Sequence, residues 1–80
     1  MQHYRPAGVC SRQIDFKLKD GIVSSVSFIG GCPGNLAGIA QLVEGLPAKT
    51  VIEKLAGIHC GDKETSCPDQ LAKALQSALA

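Results

Sequence analysis

The residues of this chain best suited to chemistry are its four cysteines, Cys10, Cys32, Cys60 and Cys67. They are separated by 21, 27 and 6 residues, so they do not form the paired Cys-x-x-Cys knuckles of a zinc ribbon. All four are predicted in turns or at the ends of elements, whereas a cysteine that only fills space is a small buried hydrophobe. Because we expect no secretory signal in the polar run Met1–Pro6, metal binding or redox chemistry is favoured over disulfides.

One of these thiols is expected at the start of the last helix. Ser66 is a typical N-cap residue, and Asp69 completes a capping-box-like pair three residues later. Pro68 fits the first turn, where its missing N–H costs nothing. Cys67 would therefore lie at the positive end of the helix, which favours thiolate over thiol. A redox role, with Cys60 as the resolving thiol, is the alternative to metal binding.

Two strands are predicted from period-two alternation of apolar residues. Residues 11–19 place Ile14, Phe16 and Leu18 on one face, and residues 22–29 place Ile22, Val26 and Phe28 on one face. Between them, Asp20-Gly21 signals a hairpin.

The apolar faces of these two strands match if the loop has three residues, Lys19 to Gly21. Leu18 then pairs with Ile22, Ile14 pairs with Val26, and Cys10 lies opposite Gly30. This register places Cys10 and Cys32 at one end of the hairpin, on its core side.

Helices are predicted in the second half of the chain. The spacing of Leu36, Ile39, Ala40 and Val43 predicts the first, ended at Gly45, and residues 50–55 predict a short second helix. The third is expected from Cys67 to Leu79. The result is a two-layer α+β fold, an antiparallel hairpin covered on one face by about three helices. Residues 1–80 are predicted as one domain, in which residues 1–9 form a third, edge strand or a flexible tail. His3 is expected at the surface.

A shared metal site is predicted on the condition that the last helix packs antiparallel to a strand or lies across the sheet, so that its start reaches the same end of the hairpin. Cys10 and Cys32 meet at one end of the hairpin, while Cys60 and Cys67 flank the turn into the last helix. Zinc is the first choice for four thiolates, and an iron–sulfur cluster takes the same ligands. His59 is expected to be solvated rather than a ligand. No Ser/His/Asp arrangement is present in the sequence, so no catalytic residue is predicted and the question of enzyme activity stays open.

The remaining signals limit the partners. The formal net charge is +1 with no basic cluster, so strong nucleic-acid binding is not expected. The glycine-rich run Gly30–Gly34 could present N–H groups to a nucleotide or another anion, but a tight turn around Cys32 explains the glycines more simply. No apolar run is long enough for a membrane helix, and a cytoplasmic location is expected. A protein partner or a homo-oligomer is predicted.

Three runs of the sequence carry a resemblance to a known family. They are Gly30-Gly31-Cys32-Pro33-Gly34-Asn35-Leu36, Cys60-Gly61 and Thr65-Ser66-Cys67-Pro68-Asp69. In this order they resemble the small stand-alone branch of the TSCPD domain family. Similar domains occur at the C-terminal end of cobalamin-dependent ribonucleotide reductases. The resemblance implies an accessory cysteine module, with nucleotide metabolism as its context.

Overall fold

A three-stranded antiparallel sheet carries all three helices on one face. The computed structural model describes residues 1–31 and 33–79. The strands and helices follow in the order β1 (Gln2–Tyr4), β2 (Ser11–Lys19), β3 (Ile22–Gly30), α1 (Pro33–Val43), α2 (Ala48–Leu55) and α3 (Cys67–Leu79). The sheet order is β1-β2-β3, which confirms the α+β fold and makes β1 the predicted edge strand. No helix in these two ranges is long and apolar enough to cross a membrane.

The hairpin loop has two residues, so the predicted three-residue loop is wrong. Asp20 and Gly21 have φ of 52° and 78°, the positive values that a type I′ turn requires. Lys19 therefore pairs with Ile22, and Leu18 pairs with Val23 rather than with Ile22. Val23 is fully buried, while Ile22, predicted in the core, is 39% exposed.

A β-bulge then returns β3 to the predicted face. Lys17 pairs with Ser24, but Asp15 pairs with Ser27, so β3 has one extra residue between these pairs. Ser25 has φ of 55° in this interval. Beyond the bulge, Ile14 pairs with Phe28 rather than with Val26 as predicted.

The bulge explains why a wrong register prediction still selected mostly the right core. Before it, the odd-numbered residue Val23 faces the helices, and after it the even-numbered residues Val26 and Phe28 pack against the core. The buried cluster draws on the sheet and all three helices: Ile14, Phe16, Val23, Val43, Ala48, Val51, Leu71, Ala74 and Leu75.

The connection from α1 to α2 is bonded to the turn end of the hairpin. Val23 donates its N–H to the Leu46 carbonyl at 2.9 Å, and Gly45 donates to the Val23 carbonyl at 2.8 Å. The N–H of Ala48 bonds the Gly21 carbonyl at 2.7 Å. Helix α2 consequently begins at Ala48, two residues before the predicted start. Helix α3 has the predicted bounds, Cys67 to Leu79.

Candidate functional site

Ser66 caps helix α3 as the sequence predicted. Its hydroxyl oxygen accepts the N–H of Asp69 at 3.1 Å, which satisfies one of the free donors of the first turn. The same hydroxyl donates to the Ile58 carbonyl at 2.6 Å. Ser66 is only 4% exposed, so a side chain predicted as a local cap also holds the preceding loop against the helix.

Asp69 has a partner that the capping-box prediction did not include. One carboxylate oxygen accepts the N–H of Gly57 at 2.7 Å, and the other accepts the hydroxyl of Thr65. Hydrogen bonds from Thr65 and from the Gly57 backbone hold the pKa of Asp69 below its ordinary value of 3.8, against the opposing effect of burial. Lys73, whose Nζ lies 3.9 Å from Asp69 Oδ2, adds a weaker attraction. The carboxylate therefore joins the end of α2 to the start of α3.

Gln70 is a site residue that the sequence analysis missed. Its side-chain N–H donates to the Thr65 hydroxyl oxygen at 2.9 Å, and its carbonyl oxygen accepts the N–H of Ala7 at 3.1 Å. The side chain is buried, at 4% exposure. The sequence signal that could have indicated this role is the position of Gln70, a polar residue directly after the capping run in the first turn of the helix. Through Gln70, the segment that precedes β2 is tied to the α3 start, the run Thr65–Gln70.

A second bulge brings Ser11 to Cys67. Gln13 pairs with Ile29 and Ser11 pairs with Gly30, so Arg12 is an extra residue in β2. The bulge turns Ser11 toward the core, where it is 3% exposed and its Oγ lies 3.2 Å from Cys67 Sγ in a hydrogen bond. The predicted pairing of Cys10 with Gly30 is therefore wrong, because Ser11 occupies that position.

Cysteines from three separate segments line one pocket of about 280 Å³, which we call the cysteine pocket. Cys10 precedes β2 and is exposed, Cys60 lies in the exposed turn before α3, and Cys67 is buried in the first turn of α3. The complete lining is Cys10, Asn35, Leu36, Ile39, Ile58, His59, Cys60, Ser66, Cys67 and Pro68. His59 is exposed, as predicted.

Cys32, the remaining predicted ligand, lies outside the described residues. Its preceding neighbour Gly31 packs closely against the pocket: a Cβ at Gly31 would lie 2.8 Å from Leu36 Cδ1 and 3.3 Å from Cys10 Sγ. With φ of 78°, this position also favours glycine conformationally. The close approach supports the structural explanation of the glycine run, while anion binding at Gly30–Gly34 stays a prediction.

The pocket has the donor chemistry of a soft metal site, but its described part is not an assembled site. Thiol sulfur suits zinc, and three thiols with an adjacent imidazole line the cysteine pocket. Within residues 1–31 and 33–79, however, no three His, Cys, Asp or Glu side chains are close enough together to hold one ion. The four-cysteine site stays a prediction.

The fold and the pocket define a class of protein: a small α+β module with a pocket lined by cysteines. Hydrogen bonds from side chains of the α3 start hold the segments around that pocket. The chain belongs to the TSCPD domain family, whose family model matches residues 2–79. No curated protein and no solved structure gives a significant match to the chain.

Proposed function

We propose that this TSCPD domain is an accessory module that binds one soft metal ion, zinc in the first instance, in the cysteine pocket. The ligands would be Cys10, Cys32, Cys60 and Cys67. The supporting observation is that a single pocket is lined by Cys10, Cys60 and Cys67. These cysteines come from three different segments of the chain. Two of these thiols are exposed, so burial in the core does not explain their position.

The contacts around Cys67 support the same proposal. Ser11 is turned inward by the Arg12 bulge and its hydroxyl meets Cys67 Sγ at 3.2 Å. A hydroxyl hydrogen-bonded to the sulfur fixes the direction of the Cys67 side chain, as outer hydrogen bonds do for metal ligands. Zinc bound there would add stability to the folded chain, because ligands from separate segments would come together only in the folded state.

The role we propose is structural, within a larger assembly, and a reducing compartment such as the cytoplasm would keep the thiols available. Nucleotide metabolism is the context implied by the family's occurrence in ribonucleotide reductases. The competing proposal is a thiol–disulfide couple of Cys60 and Cys67, favoured by the position of both residues on one pocket.

Metal content separates the two proposals. Protein purified without chelator should contain about one zinc ion per chain by elemental analysis, and chelation should lower its melting temperature markedly. Each single Cys→Ser variant should lose most of the metal, whereas His59→Ala, the matched change on the same pocket, should keep it. Metal-free protein of unchanged stability that forms a Cys60–Cys67 disulfide on mild oxidation would replace the metal proposal by the redox one.

A further inference from the structure

The two edges of the sheet differ in how they are protected from pairing with another chain. Strand β1 has three residues and is followed by Arg5 and Pro6, and its His3 bonds Asp15 at 2.6 Å. Short strands, charges, proline and β-bulges are features that blunt an exposed edge. Strand β3 has nine residues, no charge and no proline, and its bulge at Ser25 lies before residues 26–30.

Neither β3 nor α1 contains a charged residue, although the Glu44 carboxylate lies against β3 at Ser25 and the Arg12 side chain lies against it at Gly30. All eight Lys and Arg and all seven Asp and Glu lie outside residues 21–43, a segment that contains both β3 and α1. Helix α1 packs against β3, so the two uncharged elements form one continuous surface. The residues of these two elements give a charged partner no ion pair to compensate for its desolvation.

An open groove of about 290 Å³ runs along this edge of the sheet. It is lined by three consecutive β3 residues, Val26–Phe28, whose side chains alternate between the two faces of the sheet. A groove that meets all three must follow the strand's edge. Its other wall is α1, and the residues there are uncharged: Pro33, Leu36, Ala37, Ala40 and Gln41.

The chain itself occupies only the first half of that edge. Val23 is bonded to Gly45 and Leu46, and the N–H of Ser25 is bonded to a Glu44 carboxylate oxygen at 2.9 Å. From Val26 to Gly30, the strand pairs with β2 on one side and with no other strand among the residues that the structure describes. This second half presents backbone donors and acceptors to a neighbour.

We propose that residues 26–30 of β3, together with α1, form a homodimer interface with a second copy of this chain. An antiparallel pair of β3 strands about a two-fold axis gives each copy the partner groups that the other lacks. The uncharged elements β3 and α1 of one copy then contact the same two elements of the other copy. The product is a six-stranded sheet in which the two α1 helices lie side by side on the same face, where the small exposed residues Gly34 and Ala37 permit close approach.

The test compares two exposed helix positions changed to lysine. Sedimentation equilibrium of the unmodified chain should give twice the 8.3 kDa of one chain. Ala37→Lys, on the groove, places two like charges opposite each other across the two-fold axis and should weaken the dimer by roughly a hundredfold or more. Gln76→Lys, on the exposed face of α3, should leave the dimer unchanged, and circular dichroism melting checks that both variants fold.

Hydrogen exchange locates the contact. Amides in residues 26–30 should become protected as the protein concentration rises, while those of β1 should not change. A monomer at about 100 µM, well above the Kd of a stable dimer, overturns the proposal. A dimer that Ala37→Lys leaves intact, or whose protected amides lie outside β3 and α1, overturns it as well. None of these measurements depends on bound metal, so the metal proposal stands or falls separately.

Discussion

Cys60 and Cys67 line the same pocket and are separated by only six residues, yet their surroundings differ. In the α3 start, the side chains of Thr65, Ser66, Asp69 and Gln70 all form hydrogen bonds, and together they hold Ala7, Gly57 and Ile58. Residues 57–64, which we call the 57–64 turn, are all exposed. Cys60 is held there by backbone bonds, its N–H to the Thr65 carbonyl at 3.1 Å and its carbonyl to Lys63 at 3.0 Å.

These different surroundings show two ways in which the chain positions a thiol. The thiol of Cys67 is placed by side chains that connect three parts of the chain, so its position depends on the whole fold. The thiol of Cys60 is placed by a local turn, which opens at a lower free energy than a buried element does. A ligand that joins both thiols would therefore act mainly on the 57–64 turn.

The largest effect is expected for Asp69→Ala. The change leaves the Gly57 N–H and the Thr65 hydroxyl without their charged acceptor, and hydrogen bonds to charged groups contribute about 1.5–3 kcal/mol each. We expect the free energy of unfolding to fall by roughly 3 kcal/mol in a urea titration. The matched change Asp62→Ala, in the exposed 57–64 turn, should stay within about 0.5 kcal/mol. Equal effects at the two sites would remove the distinction between them.

Ser66→Ala should have the next largest effect. It removes the N-cap bond to the Asp69 N–H and the bond to the Ile58 carbonyl. Loss of a serine N-cap typically costs about 0.5–2 kcal/mol, and the second bond puts this site in the upper part of that range. Ser77→Ala, an exposed serine near the other end of the same helix, is the control for thermal melting. A loss at Ser66 no larger than at Ser77 would show that the cap carries little stability.

The stability that the Asp69 carboxylate contributes should depend on pH. Because the folded chain lowers the pKa of Asp69 below 3.8, its contribution is complete above the unfolded pKa and is lost as pH falls through the folded value. The difference in unfolding free energy between the unmodified chain and Asp69→Asn should therefore narrow between pH 7 and about pH 2. Denaturant titrations at several pH values measure it, and a difference that does not change with pH would contradict the assignment.

The smallest effect is expected for Cys60→Ser in chelator-treated protein. The side chain is exposed, so the free energy of unfolding should change by no more than about 0.5 kcal/mol. Cys67→Ala, which removes a buried sulfur in contact with Ser11, should cost about 1 kcal/mol or more. With zinc present, the two variants should become similarly destabilised, because each removes a ligand. A large effect of Cys60→Ser without metal would mean that the turn is part of the stable fold.

The bounds of α3 could be predicted from the sequence because its start is encoded locally. Ser66, Pro68 and Asp69 all act within the first turn, and the structure begins the helix at Cys67 as predicted. The partners of Gln70 could not be predicted, since Ala7 is 63 residues away. No local pattern specifies a bond over that distance. The predicted four-cysteine site lies between these cases, with three cysteines brought to one pocket and Cys32 outside the described residues.

The hairpin register failed for a different reason. Alternation of apolar residues reports only whether two positions are separated by an odd or an even number of residues. An extra residue in the turn and an extra residue in the strand have the same effect on this parity. The sequence pattern predicts a longer turn, whereas the chain has a two-residue turn and a bulge that contains Ser25.

Ser25 is accordingly a residue that the hairpin could lose without changing any other pairing. With Ser25 deleted, Val26 would stand opposite Phe16, and the pairs on either side, Lys17 with Ser24 and Asp15 with Ser27, would stay as they are. The shortened strand would alternate regularly from end to end. Length variation by one residue at this point is therefore compatible with the same core. One residue gained or lost within the regular part of β2 would instead move the side chains of half that strand to the opposite face of the sheet.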